Sequence, residues 1–325
     1  MVVVTGATGL VGSFLVTELL KYGHKVRAIS RRTFSSPDPS VLEWLQGDLL
    51  DPLFLAEAFA GATHVFHCAG LVSYAPQDKE LLQQINVEGT TNVVNTCLEL
   101  GAIKLCYVSS IAAVENEKNK SEADEEANWD LNASHSDYAE SKYQAELEVW
   151  RGISEGLTAV IVNPSIILGP GNWQESSTRL FRYVFEENPF YTAGAANFVD
   201  VRDVVEMMYK LAFSEIQGER FILNAGPMAY ETFFKEVASC FGKKAPGFKV
   251  GSKLAGILWR LEHVRSLITG KRPLITRDTA RITARKHNYR ADKVKKVLSC
   301  EFRTLEETIA WSCKELQRRH AIAVS

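Results

Sequence analysis

Tyr138 and Lys142 stand four residues apart in the run Tyr138-Ala139-Glu140-Ser141-Lys142. On a helix, capped by Asp137 or Ser136, that spacing puts both side chains on one face about one turn apart. A phenol beside an ammonium is expected to have a lowered pKa and to pass a proton to a carbonyl oxygen near neutral pH. The spacing also occurs on ordinary exposed helices, so it needs company. Tyr107-Val108-Ser109-Ser110 provides it. A strand closes there, and a serine hydroxyl at the carboxyl edge of an α/β sheet can hydrogen-bond the same carbonyl oxygen.

Hydride chemistry requires a cofactor, and Thr5-Gly6-Ala7-Thr8-Gly9-Leu10-Val11-Gly12 offers a place for one. The spacing is GxxGxxG, between a short strand and an amphipathic helix. Gly6 would turn the chain out of the strand, Gly9 would let backbone approach a pyrophosphate, and Gly12 would allow close helix–strand packing. The amides and positive dipole end of the helix would then bind phosphates. Eighteen residues after Gly12, where an acid would select NAD, the chain has Ser30 followed by Arg31 and Arg32. A hydroxyl and two guanidiniums suit the 2′-phosphate of NADP, so NADP is expected over NAD.

These groups need a scaffold, and the hydrophobic pattern supplies one. Strands are expected at 2–5, 25–30, 44–46, 63–68, 104–109 and 158–163, with helices over about 10–22 and from Pro52 between them. Such alternation argues for a doubly wound, Rossmann-type α/β fold with a parallel sheet buried on both faces. After about residue 164 the rhythm loosens. Helices are expected near 202–213, 230–241, 253–267 and 305–320, without regular strand partners. The division is a dinucleotide-binding domain over 1–164, with sheet strands continuing near 190–225, and a mainly helical substrate region over 165–325.

Composition bounds the partners. The chain has 325 residues, 46% hydrophobic and 23% charged, with a formal net charge of -2. Disorder and bulk nucleic-acid binding are excluded on those grounds. No run approaches the roughly 18 apolar residues of a membrane span. Thr5-Gly6 interrupts the apolar start, so no signal peptide is expected. Six cysteines without a CxxC pair suggest buried reduced thiols in a cytoplasmic protein and no metal site. The small net charge conceals two asymmetries: 16 Lys/Arg against three acids over 242–296, and seven acids against two lysines over 115–130. Solvated faces explain both most simply. An anionic substrate or membrane headgroups would be the sharper reading of the basic stretch, with Trp259, Leu261 and Leu267 among its cations.

Taken together the motifs resemble the extended short-chain dehydrogenase/reductases, the NAD-dependent epimerase/dehydratase superfamily. The resemblance is carried by TGATGLVG at 5–12, GDL at 47–49, HCAG at 67–70, INVEGT at 85–90, YVSS at 107–110, YAESK at 138–142, NPSIILGPG at 163–171 and FVDVRDVV at 198–205. It implies that Asp48 and Leu49 hold the adenine and that Ala69 and Gly70 line the channel over pyrophosphate and ribose. Tyr138 would be the general acid, Lys142 would bind the nicotinamide ribose and depress the tyrosine's pKa, and Ser110 would orient the substrate carbonyl. Ser109 competes with Ser110, because a one-residue slip exchanges them. Pro164, Ser165, Ile166 and Ile167 would cover the nicotinamide. His67 reads as a buried strand residue and Asn86 as a helix-stabilising amide.

Two departures narrow the branch. Ser110 is followed by Ile111-Ala112-Ala113, where sugar-nucleotide dehydratases carry a pair of acids. Ile166 stands where sugar-nucleotide epimerases usually place an asparagine. The pattern is most similar to the dihydroflavonol 4-reductase, aldehyde reductase and 3β-hydroxysteroid dehydrogenase branch. The reaction implied is NADPH-dependent reduction of an aldehyde or ketone, or the reverse oxidation of an alcohol, on a mostly apolar small molecule. A sugar-nucleotide epimerase using bound NAD and a non-catalytic cofactor-binding regulator are the alternatives. Trp173, Phe181, Phe190 and Tyr191 could line a substrate pocket or belong to the core. A homodimer through helices near 81–100 and 138–153 is compatible with the resemblance.

Overall fold

The computed structural model describes residues 1–101, 103–114, 122–127, 129–174, 177–251 and 288–324. β1 (Val2–Thr5) leads into α1 (Leu10–Lys21), β2 (Val26–Ser30), β3 (Leu42–Gln46), α2 (Pro52–Phe59) and β4 (His64–His67). Next, α3 (Lys79–Leu82), a π-helical segment (Gln83–Glu88) and α4 (Gly89–Leu100) run on into one another. β5 (Lys104–Val108), the two-residue β6 (Glu122–Ala123), α5 (Asp137–Ser154) and β7 (Thr158–Pro164) complete the first half. The second half holds β8 (Ile166–Leu168), α6 (Thr178–Phe185), β9 (Phe190–Thr192), β10 (Ala195–Asp200), α7 (Val201–Ala212), β11 (Glu219–Leu223), β12 (Gly226–Ala229) and α8 (Tyr230–Phe241). β13 (Phe248–Val250), β14 (Asn288–Tyr289), α9 (Asp292–Leu298) and α10 (Leu305–Val324) follow.

Seven strands form one sheet in the order β11-β7-β5-β4-β1-β2-β3, and every neighbouring pair is parallel. This is the doubly wound, Rossmann-type architecture expected from the alternation of strands and helices. Side chains alternate across a strand, so a strand covered on both faces must be apolar at every position. β1 shows this. Val2 and Val4 pack with Leu15 and Leu19 of α1 and Met208 of α7, while Val3 packs on the other face with Phe59, Val93 and Val149. A third core joins α6, α8 and α10 to the small sheet β12-β10-β8 through Phe181, Phe198, Phe233, Ile309 and Leu316.

The strand order reverses between β1 and β4, which opens a crevice at their carboxyl ends. The glycine loop, Ala69-Gly70, Ser109-Ser110 and Pro164 all leave the sheet at that edge. Expected and observed elements differ mainly at their ends: β3 begins two residues before Trp44, and Asp51 caps α2 by accepting from the Phe54 amide at 3.1 Å. The helix expected at 253–267, with Trp259, lies outside the described residues, as does most of the basic stretch. No helix among the described residues is long and apolar enough to cross a membrane.

Candidate active site

The glycine loop explains its own composition. Gly6 adopts φ +64°, and a Cβ there would sit 2.6 Å from the backbone nitrogen and Cα of Ala69. A Cβ on Gly12 would overlap the Gly6 carbonyl oxygen, so α1 could not approach β1 as closely. Gly9 differs, since its Cβ would meet only that same oxygen, at 3.3 Å. Its freedom is not used by the protein's own packing. Thr8 and Gly9 are exposed. Gly9 caps α1 without a side-chain hydrogen bond, which leaves the first-turn amides of Leu10, Val11 and Gly12 without a side-chain cap. An open glycine before an uncapped helix start fits a pyrophosphate. Leu10 reaches across the crevice, its Cδ1 3.3 Å from where side chains on Gly169 and Gly171 would begin.

At the far end, Arg31 and Arg32 are exposed, and among the described residues neither is paired with a carboxylate. The Ser30 hydroxyl instead accepts from the Arg32 amide at 3.1 Å and shapes the turn that presents them. Asp48 is exposed and accepts from the Leu50 amide at 3.0 Å, while Leu49 is buried and its carbonyl is held by Asn92 at 2.9 Å. Near the centre, Pro164 closes β7 and Ile167 pairs with Val199 in the small sheet. Ser165 is buried, its amide donating to the Leu223 carbonyl at 2.9 Å, and its hydroxyl has no partner among the described residues.

Ser136 caps α5, accepting from the Ala139 amide at 3.1 Å, and so fixes the turn that carries Tyr138. Tyr138 is buried and its ring meets Tyr74 edge-on at 5.5 Å. Burial raises its pKa, and a side-chain hydrogen bond with Ser110 acts in the opposite direction. This reverses the expected sign, because burial outweighs what opposes it, and Lys142 is engaged with β5. Its ammonium donates to the Tyr107 hydroxyl at 3.1 Å and the Val108 carbonyl at 2.8 Å. Burial brings Lys142 down to about 8 against the opposing charge of Glu146. The same ammonium lies 3.8 Å from where a Gly70 side chain would start, so a bulkier residue there would crowd it.

The two serines separate clearly. Ser109 is buried and its hydroxyl donates to Glu146 at 2.6 Å. Ser110 is half-buried, accepts from the Ala112 amide at 3.1 Å and is the serine that acts on Tyr138, opposing the rise in its pKa. Ser110 is therefore the hydroxyl beside the phenol.

Behind Lys142 lies a wholly buried polar chain. His67 is fully enclosed between the Thr5 hydroxyl on Nδ1 at 2.7 Å and the Thr90 hydroxyl on Nε2 at 3.0 Å. Thr90 donates its own proton to the Asn86 carbonyl at 2.6 Å, so Nε2 of His67 carries the ring proton and Thr5 donates to Nδ1. Burial drives the imidazole pKa down to about 3, which keeps it neutral. Asn86 does more than steady its helix. From the π-helical segment, its amide clasps Leu71 through both backbone groups, at 2.7 and 3.0 Å, and donates to the Ser141 hydroxyl at 2.9 Å.

Glu146 falls outside the sequence motifs, and Tyr107 and Thr90 fall within YVSS and INVEGT without a role of their own. Of the aromatic pocket candidates, Phe181 is wholly buried core, Trp173 packs on Phe185 and Phe241, Tyr191 is half-buried and Phe190 is 53% exposed. Cys240 is exposed, unlike the buried Cys97, Cys106 and Cys313.

Known proteins are similar to this chain in sequence and fold. Residues 2–226 match the model of the NAD dependent epimerase/dehydratase family. A protein of Synechocystis sp. named "Putative dihydroflavonol 4-reductase" is 30% identical over 318 residues, covering 94% of this chain and 92% of that protein. A 3-beta-hydroxysteroid dehydrogenase of Mycolicibacterium neoaurum is 28% identical, covering 81% of this chain and 77% of its own. The crystal structure of gox2253 superposes with a TM-score of 0.83 at 31% identity, over 98% of both chains.

Proposed function

The chain belongs to the NAD dependent epimerase/dehydratase family, which makes it an NAD(P)-dependent oxidoreductase, and we propose that it uses NADPH to reduce an aldehyde or ketone on a mostly apolar small molecule. The observation that carries this reading is the buried Tyr138 at the start of α5, with Lys142 one turn further on and Ser110 near enough to the phenol to act on its pKa, at the sheet's carboxyl edge. When bound, NADPH supplies the hydride. Gly6, Thr8, Gly9, Leu10, Val11 and Gly12 would hold its pyrophosphate, Asp48 and Leu49 its adenine, and Arg31 and Arg32 its 2′-phosphate. Ala69, Gly70, Pro164, Ser165 and Ile167 would line the nicotinamide half, with Lys142 on the ribose.

In this reading Ser110 donates a hydrogen bond to the substrate oxygen, and the Tyr138 phenol gives that oxygen its proton as negative charge develops there. The burial that raises Tyr138 keeps the phenol protonated and so supplied with the proton it must give. Lys142 uses two of its three ammonium protons on Tyr107 and Val108, so the third would be available to a ribose hydroxyl, and its charge one turn from Tyr138 would ease loss of the phenolic proton. The half-buried Ile166 and Ile167 favour an apolar substrate, and residues 165–325 form most of its surroundings.

NADPH mixed with the purified chain and a panel of aromatic and aliphatic aldehydes tests the reading. Loss of reduced-nicotinamide absorbance is the expected result. No loss with any carbonyl, alongside conversion of a UDP- or GDP-sugar, would overturn it in favour of epimerisation.

A further inference from the structure

Glu146 lies one turn beyond Lys142 on the face of α5 that carries Tyr138, and it is 2% exposed. Four donors converge on its carboxylate. Oε2 accepts from the Ser109 hydroxyl at 2.6 Å and the Asn163 amide at 2.7 Å. Oε1 accepts from the Arg220 guanidinium at 3.2 Å and the Trp150 indole at 3.3 Å. The Asn163 amide also donates to the Ser110 carbonyl at 3.1 Å. One carboxylate thus joins the ends of β5 and β7 and fixes the backbone of Ser110.

Arg220 anchors the group from outside. It is itself held by the Glu125 carbonyl at 2.7 Å and the Ala127 carbonyl at 3.0 Å. A buried carboxylate would be costly without such partners, and its retention beside Lys142 calls for an account. Around Lys142 stand Glu146 and Tyr138 on α5, Tyr107 on β5, His67 at the end of β4 and Cys68 just after it. With His67 neutral and the Tyr107 phenol and Cys68 thiol held protonated by burial, Glu146 is the negative charge acting on the ammonium.

We propose that Glu146 is a positioning residue for carbonyl reduction, holding Ser110 in place through Ser109 and Asn163 and balancing the Lys142 ammonium with its charge. The inference rests on the function proposed above. It separates into a mechanical part, carried by the strand ends, and an electrostatic part, carried by the carboxylate charge. Glutamine cannot serve either fully, since its one acceptor oxygen cannot receive four donors and its amide is neutral.

The experiment compares the full-length wild type with Glu146→Gln, Glu146→Asp and Ser109→Ala. NADPH and an aldehyde reduced by the wild type give kcat across pH. A lysine-labelled NMR titration of cofactor-free protein gives the Lys142 midpoint without turnover. Glu146→Gln should lower kcat about 10- to 100-fold, the scale of losses from misplaced catalytic groups. It should also move both the Lys142 midpoint and the alkaline limb of the kcat profile to lower pH. Ser109→Ala should lower kcat several-fold and leave the Lys142 midpoint where it is. Glu146→Asp should keep that midpoint while losing kcat. A folded Glu146→Gln protein with unmoved midpoint and wild-type pH profile overturns the electrostatic part, and Ser109→Ala with wild-type kcat overturns the mechanical part. Should Glu146→Gln fail to fold, a Lys142 midpoint moved to lower pH in Glu146→Asp despite its retained charge, or an unaltered Ser109→Ala kcat, decides against the proposal. A wild type that reduces no carbonyl would refute the function instead, and the cofactor-free titration would still read the Glu146–Lys142 coupling.

Discussion

The Lys142 ammonium donates to the Tyr107 hydroxyl at 3.1 Å and so ties α5 to β5. Its cation also lies over the Tyr107 ring, 4.8 Å from the centroid. Removing the hydroxyl should therefore leave a buried donor short of a partner. Tyr107→Phe is expected to cost about 1–3 kcal/mol of stability, read as a lower urea midpoint with unchanged m-value. An unchanged midpoint would mean that the Val108 carbonyl alone satisfies Lys142.

His67 sets an acid limit. Its pKa falls from 6.5 in the unfolded chain to about 3 in the fold. Between those values the unfolded state binds a proton that the folded state refuses, so stability rises with pH and is lost as pH falls below 6.5. By pH 5 the loss should reach about 2 kcal/mol. Urea titrations of the wild type and His67→Gln at pH 5 and 7 check this, and the variant should show a smaller difference between the two.

Two glycines of the loop should separate folding from binding. Gly12→Ala overlaps the Gly6 carbonyl and should cost about 1–3 kcal/mol as an overpacked contact. Gly9→Ala meets only one oxygen at 3.3 Å, so its melting temperature should stay close to wild type. Its NADPH affinity should fall at least about tenfold, the cost of displacing a phosphate from its amide donors. Calorimetric titration and thermal melts on the same samples distinguish the two.

Arg31 and Arg32 should matter to one cofactor more than the other. Replacing both with Ala ought to raise the KM for NADPH about 10- to 100-fold, as charge-assisted bonds to a phosphate are lost. The KM for NADH should change little. Equal effects on both would remove the case for a 2′-phosphate site.

The sheet was legible because its strands are buried on both faces, and such strands show as unbroken apolar runs. Val2-Val3-Val4-Thr5 and Thr158 to Pro164 are examples. The start of α5 was legible because capping is local. Strands near 190–225 were expected only without bounds, and the small strands β8 and β12 were not legible, being three and four residues long and packed with helices of the third core. Nor was the link between Ser109 and Glu146, 37 residues apart, which depends on which face of β5 meets α5. The sign of the Tyr138 shift failed for a related reason. Spacing shows that a lysine is near, but burial and the lysine's actual partner are tertiary facts.

Turnover of the wild type and Tyr138→Phe with NADPH and one carbonyl substrate tests the central claim most directly. The wild type should consume NADPH in step with alcohol formed. Tyr138→Phe should lose at least about 100-fold in kcat, the lower range for removing a general acid, with NADPH affinity nearly unchanged. A Tyr138→Phe protein that reduces the carbonyl at the wild-type rate would contradict the account.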